Sequence, residues 1–325
     1  MLGRKEHELK TAQEIQGRLE NRPFYLRNYY KTIYNKSYTT QNSYLRTICW
    51  FIDYIQEEFG IDTDDIKSFN EVKPFMIDNY IETLKDLSSS SQRSRLYAIK
   101  SFFKYLKKNT YIDVDPATEA NTPQDNDVHM IVSLTKDEIE TIKDNIFTNC
   151  GKGKSDDRWL YRDYAIVMVA LSMAFRVTSI TEINLEDIDF EERRIMITQK
   201  GNKTLRFVFS GQLKEVLLKW IEYRAELAQE MGIETNALFI NCYGNRISVR
   251  SIQLMTKKYT YNIDKNITPH KFRSTCATEM YKKTGDIYAV SRKLGQSNIQ
   301  NTKRYIQTDR AAEEKAASIM DDIIF

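Results

Sequence analysis

Between Ile267 and Ile306 the chain reads ITPHKFRSTCATEMYKKTGDIYAVSRKLGQSNIQNTKRYI. His270 and Arg273 stand one helical turn apart, a Gly-polar turn follows at Gly295 to Asn298, and Tyr305 comes just past the basic pair Lys303 and Arg304. Each of these side chains can engage a phosphodiester. Two cations further upstream have the same capacity. Arg176 follows the apolar run Ala165 to Phe175, and Lys200 stands beside the tight-turn sequence Gly201-Asn202-Lys203.

A phosphodiester monoanion repels nucleophiles and has a poor alkoxide leaving group. Breaking it without a metal takes positive charge for the non-bridging oxygens, a nucleophile, and an acid for the leaving oxygen. Arg176 and Arg273 suit the first task, because guanidinium is always charged and donates in a planar fork that matches phosphate. Tyr305 suits the second, since a phosphotyrosine ester stores the bond energy needed for rejoining. Its phenol, near pKa ~10 in water, must lose a proton during attack, which nearby cations ease. Lys200 can protonate the departing 5′ oxygen. His270 can relay the tyrosine proton or hydrogen-bond a phosphate oxygen. No ATP or metal is called for: there is no GxxxxGK[ST] loop and no carboxylate cluster suited to two metal ions. Each residue alone has an ordinary reading, Tyr305 being one of 20 tyrosines and Arg176 a possible helix cap. Their joint order is what favours chemistry.

In that order and spacing the residues resemble the tyrosine recombinase (phage integrase) family. AFRVTSITEINLEDID around Arg176 is similar to the family's first-Arg box, QKGNK to its hairpin lysine, and His270 with Arg273 to its HxxR. Tyr305 falls ten positions after Gly295, as the family pattern expects. Three positions depart from it. Gln296 stands where His or Trp is usual, Ser179 where an acid commonly supports the site, and Ala174 where Gly is frequent. Ser274, where relatives often have His, points the same way. Gln296 can still hydrogen-bond a phosphate oxygen, so the resemblance implies a differently tuned site. It also implies a clamp of two domains on a DNA half-site, two half-sites per recombination site, and a homo-tetramer on double-stranded DNA from a monomer in its absence. The tail after Tyr305, with Ile319, Met320, Ile323 and Ile324 at helical spacing, is expected to dock on a neighbouring protomer. Two alternatives stay open: a DNA-binding architectural protein whose chemistry has lapsed, and a type IB topoisomerase.

The elements that must position these residues are legible in outline. With 325 residues, 41% hydrophobic and 29% charged, and only 11 Gly and 5 Pro, the chain suits two helix-rich domains. Four scattered cysteines argue against a disulfide framework or zinc site. The apolar run at Ala165 is too short to cross a bilayer, and MLGRKEHELK shows no secretory signal, so no membrane partner and a cytoplasmic location are expected. Net charge is only +3. Its distribution says more. Arg22, Arg27, Lys31, Lys36 and Arg46 lie in one acid-free block, and Arg93, Arg95, Lys100, Lys104, Lys107 and Lys108 in another. Arg46, Arg93, Arg95, Lys100, Lys104 and Lys107 are the candidate DNA-binding residues.

The expected fold class is mainly α with a small β-sheet. Residues 1–20 are a tail or helix, 21–116 a helical core-binding domain, 117–133 a linker, and 134–325 a mixed α/β catalytic domain. Leu45, Ile48, Ile52, Ile55 and Phe59 recur at helical steps up to Gly60; Pro74 can open a second helix, and the serine run 88–91 separates it from a third carrying Leu96, Ile99, Phe103 and Leu106. Thr135 and Glu138 can form a capping box. Ile195 and Ile197 before the GNK turn, then Leu205, Phe207 and Phe209 after it, predict a β-hairpin with Lys200 at its mouth. No arm-binding domain is expected ahead of residue 20. Whether the setting is a phage, a transposon or chromosome-dimer resolution is not written in these residues.

Overall fold

The computed structural model describes residues 2–124, 133–149, 157–199, 203–295 and 302. Described residues are mainly helical with one three-stranded sheet, the fold class the sequence leads one to expect. They fall into two compact units, Met1–Val128 and His129–Phe325, each with its own apolar core.

The first unit holds α1 (Leu2–Leu19), α2 (Phe24–Thr32), α3 (Tyr38–Phe59), α4 (Pro74–Glu82) and α5 (Ser89–Lys108). The three-and-four spacing puts Leu45, Ile48, Ile52 and Ile55 on the buried side of α3. Ser37 caps its start by accepting the Thr40 N–H at 3.3 Å. Gly60, at φ 67, ends it in the left-handed region that an L-residue would resist. Pro74 fills the first turn of α4, where no N–H is needed. The serine run starts α5 instead of merely preceding it, because the Ser88 hydroxyl accepts the Ser91 N–H. Aromatic edges fill the core, with Tyr29 and Phe102 5.4 Å apart and Phe51 and Tyr80 5.3 Å apart. Two of the buried phenols are satisfied: Tyr25 donates to the Thr63 carbonyl at 2.7 Å and Tyr29 to Ser101 at 3.0 Å. Ala117 and Ala120 belong to this core as well.

The second unit is built around α7 (Arg158–Met173), which packs on α9 (Gly211–Met231) and α11 (Pro269–Thr284). α6 (Lys136–Asn149) opens with the expected capping box: Thr135 N–H donates to the Glu138 carboxylate at 2.8 Å, and Glu138 N–H to the Thr135 hydroxyl at 3.2 Å. After α8 (Val177–Glu182) come β1 (Ile188–Asp189), β2 (Arg194–Gln199) and β3 (Lys203–Val208), an antiparallel meander in that order. Ile195 opposes Phe207 and Ile197 opposes Leu205. Alternation therefore turns Ile195, Ile197 and Phe207 inward. The short β1 was not apparent from the sequence. The segment around Phe239 makes two isolated bridges, Asn184 with Ala237 and Ile240 with Arg246. Buried Trp220 and Arg224 hold it to α9, donating to the carbonyls of Leu238 at 2.9 Å and Ala237 at 2.8 Å. α10 (Val249–Tyr259) and α12 (Ile287–Lys293) complete the unit. No described helix is long and apolar enough to cross a membrane.

Candidate active site

Arg176 and Arg273 meet through the backbone between them. α7 stops at Ala174, whose φ of 53 lies in the left-handed region, and the chain leaves it extended, with Arg176 at φ −67 and ψ 146 as the N-cap of α8. Phe175 anchors this corner, being buried and edge-on to Phe207 of β3 at 5.0 Å. The corner therefore sits on the hairpin, while the Arg176 side chain is exposed. Arg273, on the inner side of α11, is only 3% exposed. Its guanidinium donates to the Ala174 carbonyl on one side and to the Leu294 carbonyl at 2.9 Å on the other. One buried fork thus fixes the Arg176 corner and the backbone entering the Gly295 turn, where Gly295 takes φ 58.

His270 lies in the first turn of α11 after Pro269, exposed and one turn from Arg273. The Ser274 hydroxyl, buried, donates to the His270 carbonyl at 3.1 Å, so it serves the helix backbone in place of a charged partner. Thr275 accepts the Leu134 N–H at 2.9 Å and ties the entrance of α6 to the same helix. Lys200, Gln296 and Tyr305 lie outside the described residues. Their described neighbours are Gln199 paired with Lys203, Gly295, and Thr302, which is buried three positions before Tyr305.

Sequence reasoning passed over a group beside Arg273. The Lys293 ammonium points at the Met173 sulfur, 3.7 Å away, and burial pushes its pKa down, with Cys276 opposing. Burial pushes the Cys276 thiol up, against the pull of Lys293 and Arg273. A lysine just before a Leu-Gly pair carries no sequence signal of burial; only the packing of α12 on α11 creates it. Among the described residues no group of three His, Cys, Asp or Glu could hold a metal.

The cations of the first unit do not all face solvent. Arg22 pairs with Asp53 at 2.7 Å. Arg93 donates to the Pro123 carbonyl at 3.3 Å, Lys100 to that of Ala120 at 3.4 Å, and Lys107 to that of Asp113. Three of the six expected DNA contacts thereby also hold the 113–123 segment against α5. Lys104 is exposed. Arg46 and Arg95 come together over one tryptophan, with guanidinium carbons 5.2 Å and 4.6 Å from the centroid of the Trp50 ring.

The sequence pattern of the phage integrase family matches residues 132–312, more than half of the chain. Tyrosine recombinase XerC of Caldanaerobacter subterraneus subsp. tengcongensis is 29% identical over 313 residues, 90% of this chain and 84% of the relative. XerC of Mannheimia succiniciproducens is 26% identical over 289 residues, covering 86% of this chain and 91% of the relative. The structure of XerH site-specific recombinase in a post-cleavage complex with palindromic difH substrate has a TM-score of 0.70 at 18% identity, covering 90% of this chain and 83% of that one. Tn1549 transposon integrase with transposon right end DNA has 0.69 at 18%, covering 90% and 99%. At such identities the structural likeness speaks for the fold, and the match over residues 132–312 speaks for descent: the chain belongs to the phage integrase family, the tyrosine recombinases, whose work is site-specific DNA recombination.

Proposed function

We propose that this chain cuts and rejoins DNA at a defined site through Tyr305, with the second unit as its catalytic domain and the first as its core-binding domain. The Tyr305 oxygen attacks the phosphorus, the bond from phosphorus to the 5′ oxygen breaks, and a 3′-phosphotyrosine and a free 5′-hydroxyl result. The phenolic proton passes to His270, and Lys200 supplies a proton to the departing oxygen. Arg176 and Arg273 neutralise the non-bridging oxygens, and Gln296 donates a further hydrogen bond to one of them. A 5′-hydroxyl from the partner strand then reverses the sequence. No energy source is consumed, because one ester is exchanged for another.

The observation that carries this reading is the Arg273 fork. A guanidinium buried to 3% exposure, tied to the Ala174 and Leu294 carbonyls, orients the corner bearing Arg176 and the turn leading to Gln296 together. Prepositioned charge of this kind is worth ~10²–10³ in rate per donor in water-excluded sites. His270 in the first turn of α11 adds the positive end of the helix dipole, which favours a phosphate there. Around DNA the active form is a homo-tetramer on two half-sites, assembled from monomers by docking of the tail beyond Tyr305. Integration or excision of a mobile element, in the cytoplasm, is the setting we favour.

The test is to trap covalent adduct on nicked duplexes tiled from the DNA flanking the gene, with EDTA present, for wild type and Tyr305→Phe. Adduct in the wild type alone is expected. Specific binding without adduct would point to a DNA-binding protein whose chemistry has lapsed. Relaxation of supercoils with no defined site would point to a type IB topoisomerase.

A further inference from the structure

Trp50 is 45% exposed, on the side of α3 away from the core, and two cations share its ring. Arg46 reaches it from one turn earlier on the same helix. Arg95 reaches it from α5, steadied by a 3.3 Å hydrogen bond to the Thr47 hydroxyl. The two charged carbons are therefore within about 10 Å of one another, inside one Debye length at moderate salt. Neither guanidinium has a carboxylate partner among the described residues. Arg46 Nε is buried with no hydrogen-bond acceptor, and so is the Tyr80 hydroxyl, whose ionisation the Arg95 charge influences. Burial pushes the Arg95 pKa down, and the Arg46 charge adds to that.

Two like charges held together, part-buried and without a carboxylate partner among the described residues, repel one another, and a bound anion relieves that repulsion. We infer that Arg46, Trp50 and Arg95 form a preorganised clamp for one stretch of DNA phosphate backbone, in which Trp50 is a positioning residue that holds both forks in place. This rests on the recombinase reading. A planar guanidinium stacked on indole keeps its edge N–H groups available, and those edges are what a phosphate oxygen takes.

The experiment is fluorescence anisotropy with a labelled heteropolymer duplex, stepped from roughly 50 to 200 mM salt, the range over which phosphate contacts dominate affinity. Wild type, Trp50→Phe, Trp50→Ala, Arg46→Gln/Arg95→Gln, and that pair combined with Trp50→Ala are compared. Each phosphate contact contributes ~0.9 to the slope of log K against log salt. Trp50→Ala is expected to flatten the slope by ~0.9 to 1.8 and Trp50→Phe to keep it. In the double-glutamine background Trp50→Ala is expected to change nothing further. Circular dichroism melts confirm that each variant is folded, as an exposed Trp allows. An unchanged slope in Trp50→Ala overturns the clamp while leaving the recombinase reading intact. A further loss in the double-glutamine background overturns it too, because Trp50 would then touch DNA itself. Failure of folded wild type to bind duplex at the lowest salt overturns both.

Discussion

Replacing Arg273 by lysine keeps a positive charge in α11 and removes the fork. The arginine satisfies two buried carbonyls, of Ala174 and Leu294, from an environment only 3% exposed. A lysine places its donors on a single nitrogen and reaches one of them. The orphaned carbonyl costs about 1–3 kcal/mol. At the middle of that range, and at ~2–4 °C per kcal/mol for a unit of this size, calorimetry should place the second unit's transition ~4–8 °C lower. Arg176→Lys is the control. Arg176 is exposed and makes no side-chain bond among the described residues, so its variant should melt within ~0.5 kcal/mol of wild type. Both variants should lose adduct formation by ~10²-fold or more. An unshifted transition in Arg273→Lys, or equal losses of stability in both, would refute the view that Arg273 is a structural fork as well as a phosphate ligand.

Four further outcomes follow from single contacts. Ala174→Val puts a branched side chain at φ 53 in a fully buried position and should cost ~2–3 kcal/mol, whereas Ala174→Gly should stay within ~1 kcal/mol; urea unfolding reads both. Lys293 has its pKa lowered by burial, so between its folded value and 10.5 the unfolded chain holds more protons, and stability should rise as pH climbs through that window. Lys293→Met should be more stable than wild type at neutral pH and lack that rise; parallel slopes of unfolding free energy against pH would contradict this. Thr135→Ala removes the acceptor for the Glu138 N–H and should cost ~1 kcal/mol in thermal melts. Phe207→Ala withdraws the ring that braces Phe175 and should cost ~3–5 kcal/mol, with adduct formation falling in the fraction that remains folded.

Local periodicity made much of this fold readable. The helix from Tyr38 to Phe59 follows from apolar steps of three and four closed by Gly60, and the hairpin from strict alternation on both sides of Gly-Asn. The Thr135–Glu138 box was readable because both partners lie within one turn. Contacts between elements distant in sequence were not. Nothing near Arg273 announces that its fork will be answered by carbonyls 99 residues before and 21 residues after it. Lys100 and Lys107 read as members of an acid-free block of candidate DNA-binding residues, and nothing in that block announces that the return of the 113–123 segment along α5 also gives them carbonyls to bind. Trp50 became a platform for two arginines only when α5 packed on α3.

The measurement that bears most directly on the account is peptide mapping of the trapped adduct. Trypsin acting after Arg304 and Arg310 releases Tyr305–Arg310, and mass spectrometry of nuclease-trimmed adduct should find the residual deoxynucleotide on that peptide, esterified to the tyrosine through its 3′ phosphate. Nucleotide on any other residue, or attached through a 5′ phosphate, would contradict the claim that Tyr305 is the nucleophile and that Arg176 and Arg273 are arranged around its target.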